Sequence, residues 1–196
     1  MKKFIIPIIT LVFITMFICI ILSLNITKEI TSDTEIEAIK QDSNLDILVN
    51  LGNFSKDNYS ERKLLDVAMQ YAEKLNLMNE TNNESLYLQY VSKDDVHNII
   101  YELTGISIEA PIEIDDFYYL YDSENSYYYY LGASPTNYKV SNIKSIKRNG
   151  NLYDINCSIE KIEDGELTLE ENVSIILNYV SENSIIKYQV EKIKIN

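Results

Sequence analysis

The 196-residue chain has no tryptophan, one histidine, two cysteines, five glycines and three prolines. So few glycines and prolines exclude collagen-like and linker-rich proteins. The only histidine, His97, has no cysteine or carboxylate near it at the spacing of a metal site. The sequence also lacks the P-loop, G-x-G-x-x-G, G-x-S-x-G and H-E-x-x-H motifs. We therefore expect no catalytic residues, no cofactor and no metal, and we expect His97 to be an exposed residue of a helix surface.

The two cysteines lie in different parts of the chain, so we expect no disulfide between them. Cys19 belongs to an apolar N-terminal stretch, whereas Cys157 lies within DINCSIEK. A small thiol in a strand-like run is typical of a buried hydrophobic residue. An intermolecular disulfide or a free reactive thiol is the alternative for Cys157.

Negative charge dominates the chain, which has a net charge of −13 and a pI near 4.5. A surface of that sign repels phosphate backbones, so we expect no nucleic-acid partner. Adjacent carboxylates such as Asp115 and Asp116 do not form a glycosidase pair, because neighbours on a strand point to opposite faces. DSENS, from Asp122, begins like a calcium loop but lacks its glycine and glutamate, since Tyr127 and Ala133 occupy those positions.

The N-terminus contains the one long apolar run of the sequence. Residues 4–24 contain no charged residue and, at ~1.5 Å per residue, span about 31 Å, close to the hydrocarbon thickness of a bilayer. No A-x-A-like cleavage site follows, which favours an uncleaved transmembrane signal-anchor. Lys2 and Lys3 predict that residues 1–3 are a cytoplasmic tip and that the body lies outside. The expected localisation is a single-pass cell-membrane protein; secretion after signal cleavage is the alternative.

Two capped helices are predicted after the membrane segment. We expect residues 25–53 to be a stalk or linker, partly helical from Thr34 to Leu48, and residues 54–196 to be the extracytoplasmic domain. Ser60 precedes an amphipathic helical pattern as an N-cap. Ser92 and Asp95 form a capping-box pattern, and Gly105 is placed to end that second helix.

The remainder of the sequence predicts antiparallel strands. FYYLY and SYYYYLGA flank the turn DSEN, RNGN predicts a second hairpin, and SEN separates a final pair of strands. In the last strand the alternation breaks near Glu191, which predicts a β-bulge. The fold class is therefore α+β: about two or three helices followed by an antiparallel sheet of about five to seven strands.

Tyrosines occupy both faces of the first hairpin. Alternation places Phe117, Tyr119 and Tyr121 on one face of its first strand and Tyr118 on the other; Tyr128 and Tyr130 share one face of the second strand. One interpretation is that one face packs in the core while the other half-covers the outer sheet. The other is an aromatic binding surface, for which Tyr118, Tyr128 and Tyr130 are the candidates.

Several stretches resemble known families. MKKFIIPIIT, the helix SKDDVHNIIYELTG and the strand-rich tail resemble singly anchored extracytoplasmic proteins of clostridia-like Gram-positive bacteria. VSIILNYVSENSIIKYQVEKIKI resembles the final strand pair of cystatin-like or NTF2-like domains. LYLQYV, the following helix, SIKRNGNLYDINCSIEK and the same tail are similar to small inhibitors of cell-wall DL-endopeptidases.

These observations predict a non-catalytic binding or interaction module at the cell envelope. Its expected partners are the membrane, through residues 4–24, and an envelope protein or cell-wall component. An inhibitor or regulator of a cell-wall hydrolase is one alternative, and an NTF2-like small-ligand carrier or enzyme is another. An aromatic patch outside the sheet favours the first two, and a deep polar pocket favours the third.

Overall fold

A computed structural model describes residues 27–80, 88–114, 118–131, 136–163 and 166–196. The α-helices in these ranges are α1 Asp33–Ser43, α2 Leu45–Leu48, α3 Glu61–Lys74 and α4 Lys93–Thr104, with a 3-10 helix at Val49–Leu51. The strands are β1 Lys28–Ile30, β2 Phe54–Ser55, β3 Asn79–Glu80, β4 Gln89–Ser92, β5 Tyr119–Asp122, β6 Tyr127–Tyr130, β7 Thr136–Asn149, β8 Leu152–Glu163, β9 Glu166–Tyr179 and β10 Tyr188–Ile195. The predicted α+β class is confirmed.

The strands form two antiparallel sheets rather than the one that the sequence predicts. Sheet A has six strands in the order β1-β7-β8-β9-β10-β2, and sheet B has four in the order β3-β4-β6-β5. Sheet A is built around the long strands β7, β8 and β9, of 14, 12 and 14 residues. The tyrosine hairpin β5–β6 pairs with β4 instead, which places it in the smaller sheet.

The two long helices bury the apolar stripes that the sequence predicts. α3 and α4 pack against each other, and α4 also contacts β10. One hydrophobic core joins these helices to both sheets. The buried residues of the predicted stripes are Leu64, Ala68, Tyr71 and Ala72 on α3 and Val96, Ile99, Ile100 and Leu103 on α4.

The start of α4 shows the predicted cap, whereas the start of α3 does not. The amide of Asp95 donates to Oγ of Ser92 over 3.1 Å, and that hydroxyl donates to Oδ2 of Asp95 over 2.6 Å. Gly105 follows the helix with a φ of 71°, the left-handed conformation that favours glycine. Ser60 holds the N-cap position of α3, but its side chain makes no capping hydrogen bond.

The predicted hairpins and the predicted bulge are present in the structure. β5 pairs with β6, β7 with β8 and β9 with β10. The register of the last pair shifts between Val190 and Lys192, so Glu191 is the bulged residue. This extra residue restores the buried face, because Val190 and Ile193 both lie in the core.

The segment predicted to be a stalk, residues 25–53, instead belongs to the folded body from its strand onward. β1 pairs with the end of β7, with Ile30 opposite Ile146. Leu45 and Leu48 of α2 are buried in the main core, as are Val49 and Leu51 of the 3-10 helix. Scattered isoleucines and leucines in a polar sequence look like a linker. Here Ile30, Leu45, Leu48 and Leu51 are buried in elements that contact β7, and their places exist only after the sheet has formed.

Side chains of α1, α2 and the 3-10 helix cover the open edge of β7. The Val140 amide donates to Oδ1 of Asp46 over 2.8 Å, and the Tyr138 amide donates to Oδ1 of Asn50 over 2.8 Å. Lys40 donates to the Val140 carbonyl over 3.3 Å. Pairing an edge in this way removes its exposed backbone groups as a template for another strand.

The predicted membrane segment, residues 4–24, lies outside the described residues. Among the helices that the structure does describe, none has both the length and the apolar character to cross a bilayer.

Candidate functional site

The structure places Tyr128, a candidate for the binding surface, inside the protein. Its side chain is 0% exposed and lies opposite Val91 of β4, with the His97 ring of α4 over it at 6.4 Å between centroids. The prediction that Tyr128 lies on an exposed binding surface is therefore wrong. The reason is that α4 covers one face of sheet B, and the pairing register directs Tyr128 toward it.

The other two candidates lie at the margin of that inner side. Alternation puts Tyr130 on the face of Tyr128, and the rings of Tyr130 and Tyr119 lie 5.6 Å apart. Tyr118 is half-buried, with the Arg62 guanidinium 5.5 Å from its ring centroid. Phe117, assigned to the same pattern, lies outside the described residues. The three candidates therefore do not form one exposed cluster.

The opposite side of sheet B carries a different aromatic cluster, which we call the aromatic face: Tyr90, Tyr127, Tyr129, Leu120 and Leu131. The Tyr90 ring lies 4.8 Å from that of Tyr127 and 5.6 Å from that of Tyr129. All three tyrosines are half-buried, while Leu120 is 55% and Leu131 42% exposed. This side of the hairpin thus exposes large rings and leucines to solvent.

Sequence reasoning missed Tyr90 because it belongs to a separate strand. Its place in the aromatic face depends on the β4–β6 pairing, in which Tyr90 lies opposite Tyr129. The residues around Tyr90 do not indicate which strand it pairs with or in which register. The signal that could have found it is the alternation of Tyr90 with the buried Val91.

A structured turn borders the aromatic face with negative charge. Asp122 accepts hydrogen bonds from the Asn125 side chain at 2.8 Å and from the Glu124 amide at 2.9 Å. These bonds, that from Asn125 above all, lower the pKa of Asp122. Partial burial raises the pKa of Tyr129, and the Asp122 carboxylate adds to this. Asp122 therefore stays ionised beside Tyr129, whose hydroxyl stays neutral.

His97 is part of a hydrogen-bonded cluster rather than an exposed helix-surface residue. Its Nε2 lies 3.4 Å from the Tyr128 hydroxyl, which accepts a 2.7 Å hydrogen bond from the Ile112 amide. Burial, followed by the nearby Lys93 charge, lowers the pKa of His97, while Asp94 and a hydrogen bond with the Ile108 backbone oppose the shift. The histidine therefore helps to hold the segment that follows α4.

Cys157 is buried in the centre of sheet A, as predicted. Burial raises the pKa of its thiol to about 11. A thiol with such a pKa is scarcely ionised near neutral pH and is a poor nucleophile. Within the described ranges, no group of three or more histidine, cysteine or acidic side chains is arranged to hold a metal ion.

No protein-family model, curated protein or solved structure matches the chain.

Proposed function

We propose that the chain is a membrane-anchored, extracytoplasmic, non-catalytic binding module whose partner contacts the aromatic face. The observation that carries this proposal is the partly exposed cluster of Tyr90, Tyr127 and Tyr129 beside the exposed Leu120 and Leu131. The apolar residues 4–24 support the anchor, and Lys2 and Lys3 support a body outside the membrane.

The aromatic face is not needed to build the core. The other side of sheet B already buries Val91, Tyr119 and Tyr128. Exposed leucines beside large rings cost solubility unless a partner covers them. Tyrosine is enriched in protein interfaces, since its ring gives a large, stiff contact area and its hydroxyl tolerates water.

The expected partner is an envelope protein with a basic border around an apolar centre. The chain has a net charge of −13, and Asp122 lies at the edge of the aromatic face. Complementary charge accelerates encounter and rejects acidic surfaces. A cell-wall hydrolase under regulation is a narrower form of this proposal. Two alternatives remain predictions. One is that the protein is an NTF2-like carrier or enzyme, and the other is that it binds a cell-wall component directly.

Photo-crosslinking in cells that express the full chain tests the surface. A benzoylphenylalanine replaces Tyr127 or Tyr129 in turn, and in control chains it replaces Tyr101, an exposed tyrosine of α4. The expected result is a discrete protein adduct from positions 127 and 129, weakened by Tyr90→Thr, and none from position 101. Equal adducts from all three positions would rule out the aromatic face as the contact.

Accessibility in intact cells tests the orientation separately. Protease added outside should degrade the described domain, and a peptide beginning before residue 24 should remain in the membrane fraction. Protection of the domain from external protease would contradict an outside location, and a mature chain that starts near Asn25 would contradict the anchor.

A further inference from the structure

An open cleft of about 600 Å³ lies on the helix side of sheet A and shares no residue with the aromatic face. Its walls include Asn53, Asn58, Tyr59, Lys63, Tyr138 and Glu171. Four of these come from the connection into α3 and its first turn, one from β7 and one from β9. The volume falls within the range typical of small-ligand sites.

The cleft exists because the sheet is longer than the helices that cover it. β9 has 14 residues and extends about 46 Å at 3.3 Å per residue, whereas the 14 residues of α3 extend about 21 Å. Alternation places Glu171 in the same row as Val173, Ile175 and Leu177, which are buried under the helices. Glu171 therefore marks where the apolar row ends and a polar wall begins.

Several polar side chains of this wall are not used by the protein. Among the described residues, the side chains of Asn58, Ser60, Lys63 and Glu171 have no protein hydrogen-bond or ion-pair partner. Gly52 has a φ of 64°, and a Cβ there would collide with Nζ of Lys63. The bare glycine backbone thus makes room for the lysine side chain.

Two wall residues are held by hydrogen bonds, Tyr138 through its backbone amide and Asn53 through its side chain. The Tyr138 amide donates to Asn50, and the Ile195 amide donates to Oδ1 of Asn53 over 2.9 Å. Groups fixed before binding lose less conformational freedom when a ligand arrives, which favours affinity. The Asn53 side chain and the Tyr138 backbone are therefore prearranged, while the four side chains named above have no partner in the described part of the protein.

The chemistry of the wall selects a neutral, hydroxyl-rich ligand. Asparagine side chains both donate and accept hydrogen bonds, as sugar hydroxyls do. Tyr59 and Tyr138 add ring faces against which the C–H face of a sugar can pack. Lys63 and Glu171 contribute one charge of each sign, so the wall does not favour an ion of either charge, and the net charge of −13 opposes a polyanion. We propose that this cleft binds a neutral oligosaccharide.

Calorimetry on the full chain in lipid nanodiscs tests the proposal with maltotetraose, cellotetraose and chitotetraose. Sugar-based detergents are avoided because they would compete for the cleft. At least one neutral tetrasaccharide should bind saturably, and tetragalacturonate should not. Cosedimentation with insoluble cellulose and chitin shows whether the cleft binds the sugar in a polymer as well as in a free oligosaccharide.

Matched variants locate the binding. Tyr59→Ala and Glu171→Gln should each weaken the Kd by about tenfold or more, which corresponds to about 1.4 kcal/mol. Tyr101→Ala, which removes an exposed tyrosine outside the cleft, should leave the Kd unchanged. Unchanged melting temperatures show that the variants are folded. Binding of only the acidic tetrasaccharide, no binding of any neutral one, or equal losses in the cleft and control variants would overturn the proposal.

Discussion

The hydroxyl oxygen of Tyr128 lies 3.4 Å from Nε2 of His97, and the same oxygen accepts a hydrogen bond from the Ile112 amide. The hydroxyl can donate its hydrogen to Nε2 only while the imidazole is neutral, because both nitrogens of a protonated ring carry a hydrogen and cannot accept. Tyr128 of β6 and His97 of α4 thus act together to hold the segment that follows α4. Lys93 and Asp94 on α4, and Glu61, Glu113 and Tyr121 around Tyr128, are the charged or titratable groups nearby.

We expect the protein to lose stability as the pH falls below the ordinary His97 value of 6.5, because burial lowers the pKa of His97 in the folded state. Below that pH the unfolded chain takes up a proton before the folded chain does, so acid favours unfolding. Urea unfolding of the wild type between pH 8 and pH 5.5 should show this loss, and His97→Gln should show less of it. Parallel pH profiles for the two proteins would contradict the role of His97.

Tyr128→Phe should lower the free energy of unfolding by about 1–3 kcal/mol, because it leaves the buried Ile112 amide without its acceptor. The ring itself stays, so the packing changes little. Tyr129→Phe removes a hydroxyl from the aromatic face and is the matched control, with an expected change within about 0.5 kcal/mol. Chemical denaturation measures both. Equal effects would mean that the Tyr128 hydroxyl is not part of the core.

Ser92→Ala should cost about 0.5–2 kcal/mol, because its hydroxyl caps α4. Ser60→Ala is the matched control, since Ser60 occupies the same position of α3 without a capping bond, and its expected effect is within about 0.5 kcal/mol. Thermal melts of the two variants compare them directly. A larger loss at Ser60 than at Ser92 would reverse the assignment of the caps.

Asp46→Ala should cost about 1–3 kcal/mol, because the Val140 amide loses its acceptor at the edge of β7. Asp46→Asn keeps an acceptor oxygen at the same place and should cost less. The alanine variant should also self-associate more readily, since an uncovered edge can pair with another chain. Unfolding curves and light scattering separate the two effects. If asparagine destabilised the protein as much as alanine, charge rather than edge pairing would explain the contact.

Local patterns were enough to predict much of this fold. The stripes of α3 and α4, the Ser92 cap, the hairpins and the bulge at Glu191 each follow from neighbours within a few residues, and the structure contains them. The buried Cys157 follows from the same kind of pattern. Local patterns did not predict the aromatic face. The tyrosines of the hairpin lie on both faces, and nothing nearby in the sequence indicates which face is buried.

The sequence alone therefore determined the α+β class, the two long helices, the hairpin strands and the Ser92 cap, all of which depend on short-range periodicity and backbone preference. Tertiary structure decided how the hairpins assemble into two sheets and which faces are covered. It placed the hairpin in sheet B beside β4 and buried Tyr128 under α4. It also drew residues 28–51 into the body and left Tyr90 on the aromatic face. The physical reason is that the burial of a side chain depends on residues that are distant in sequence but close in space. Strand register and helix packing determine which residues those are.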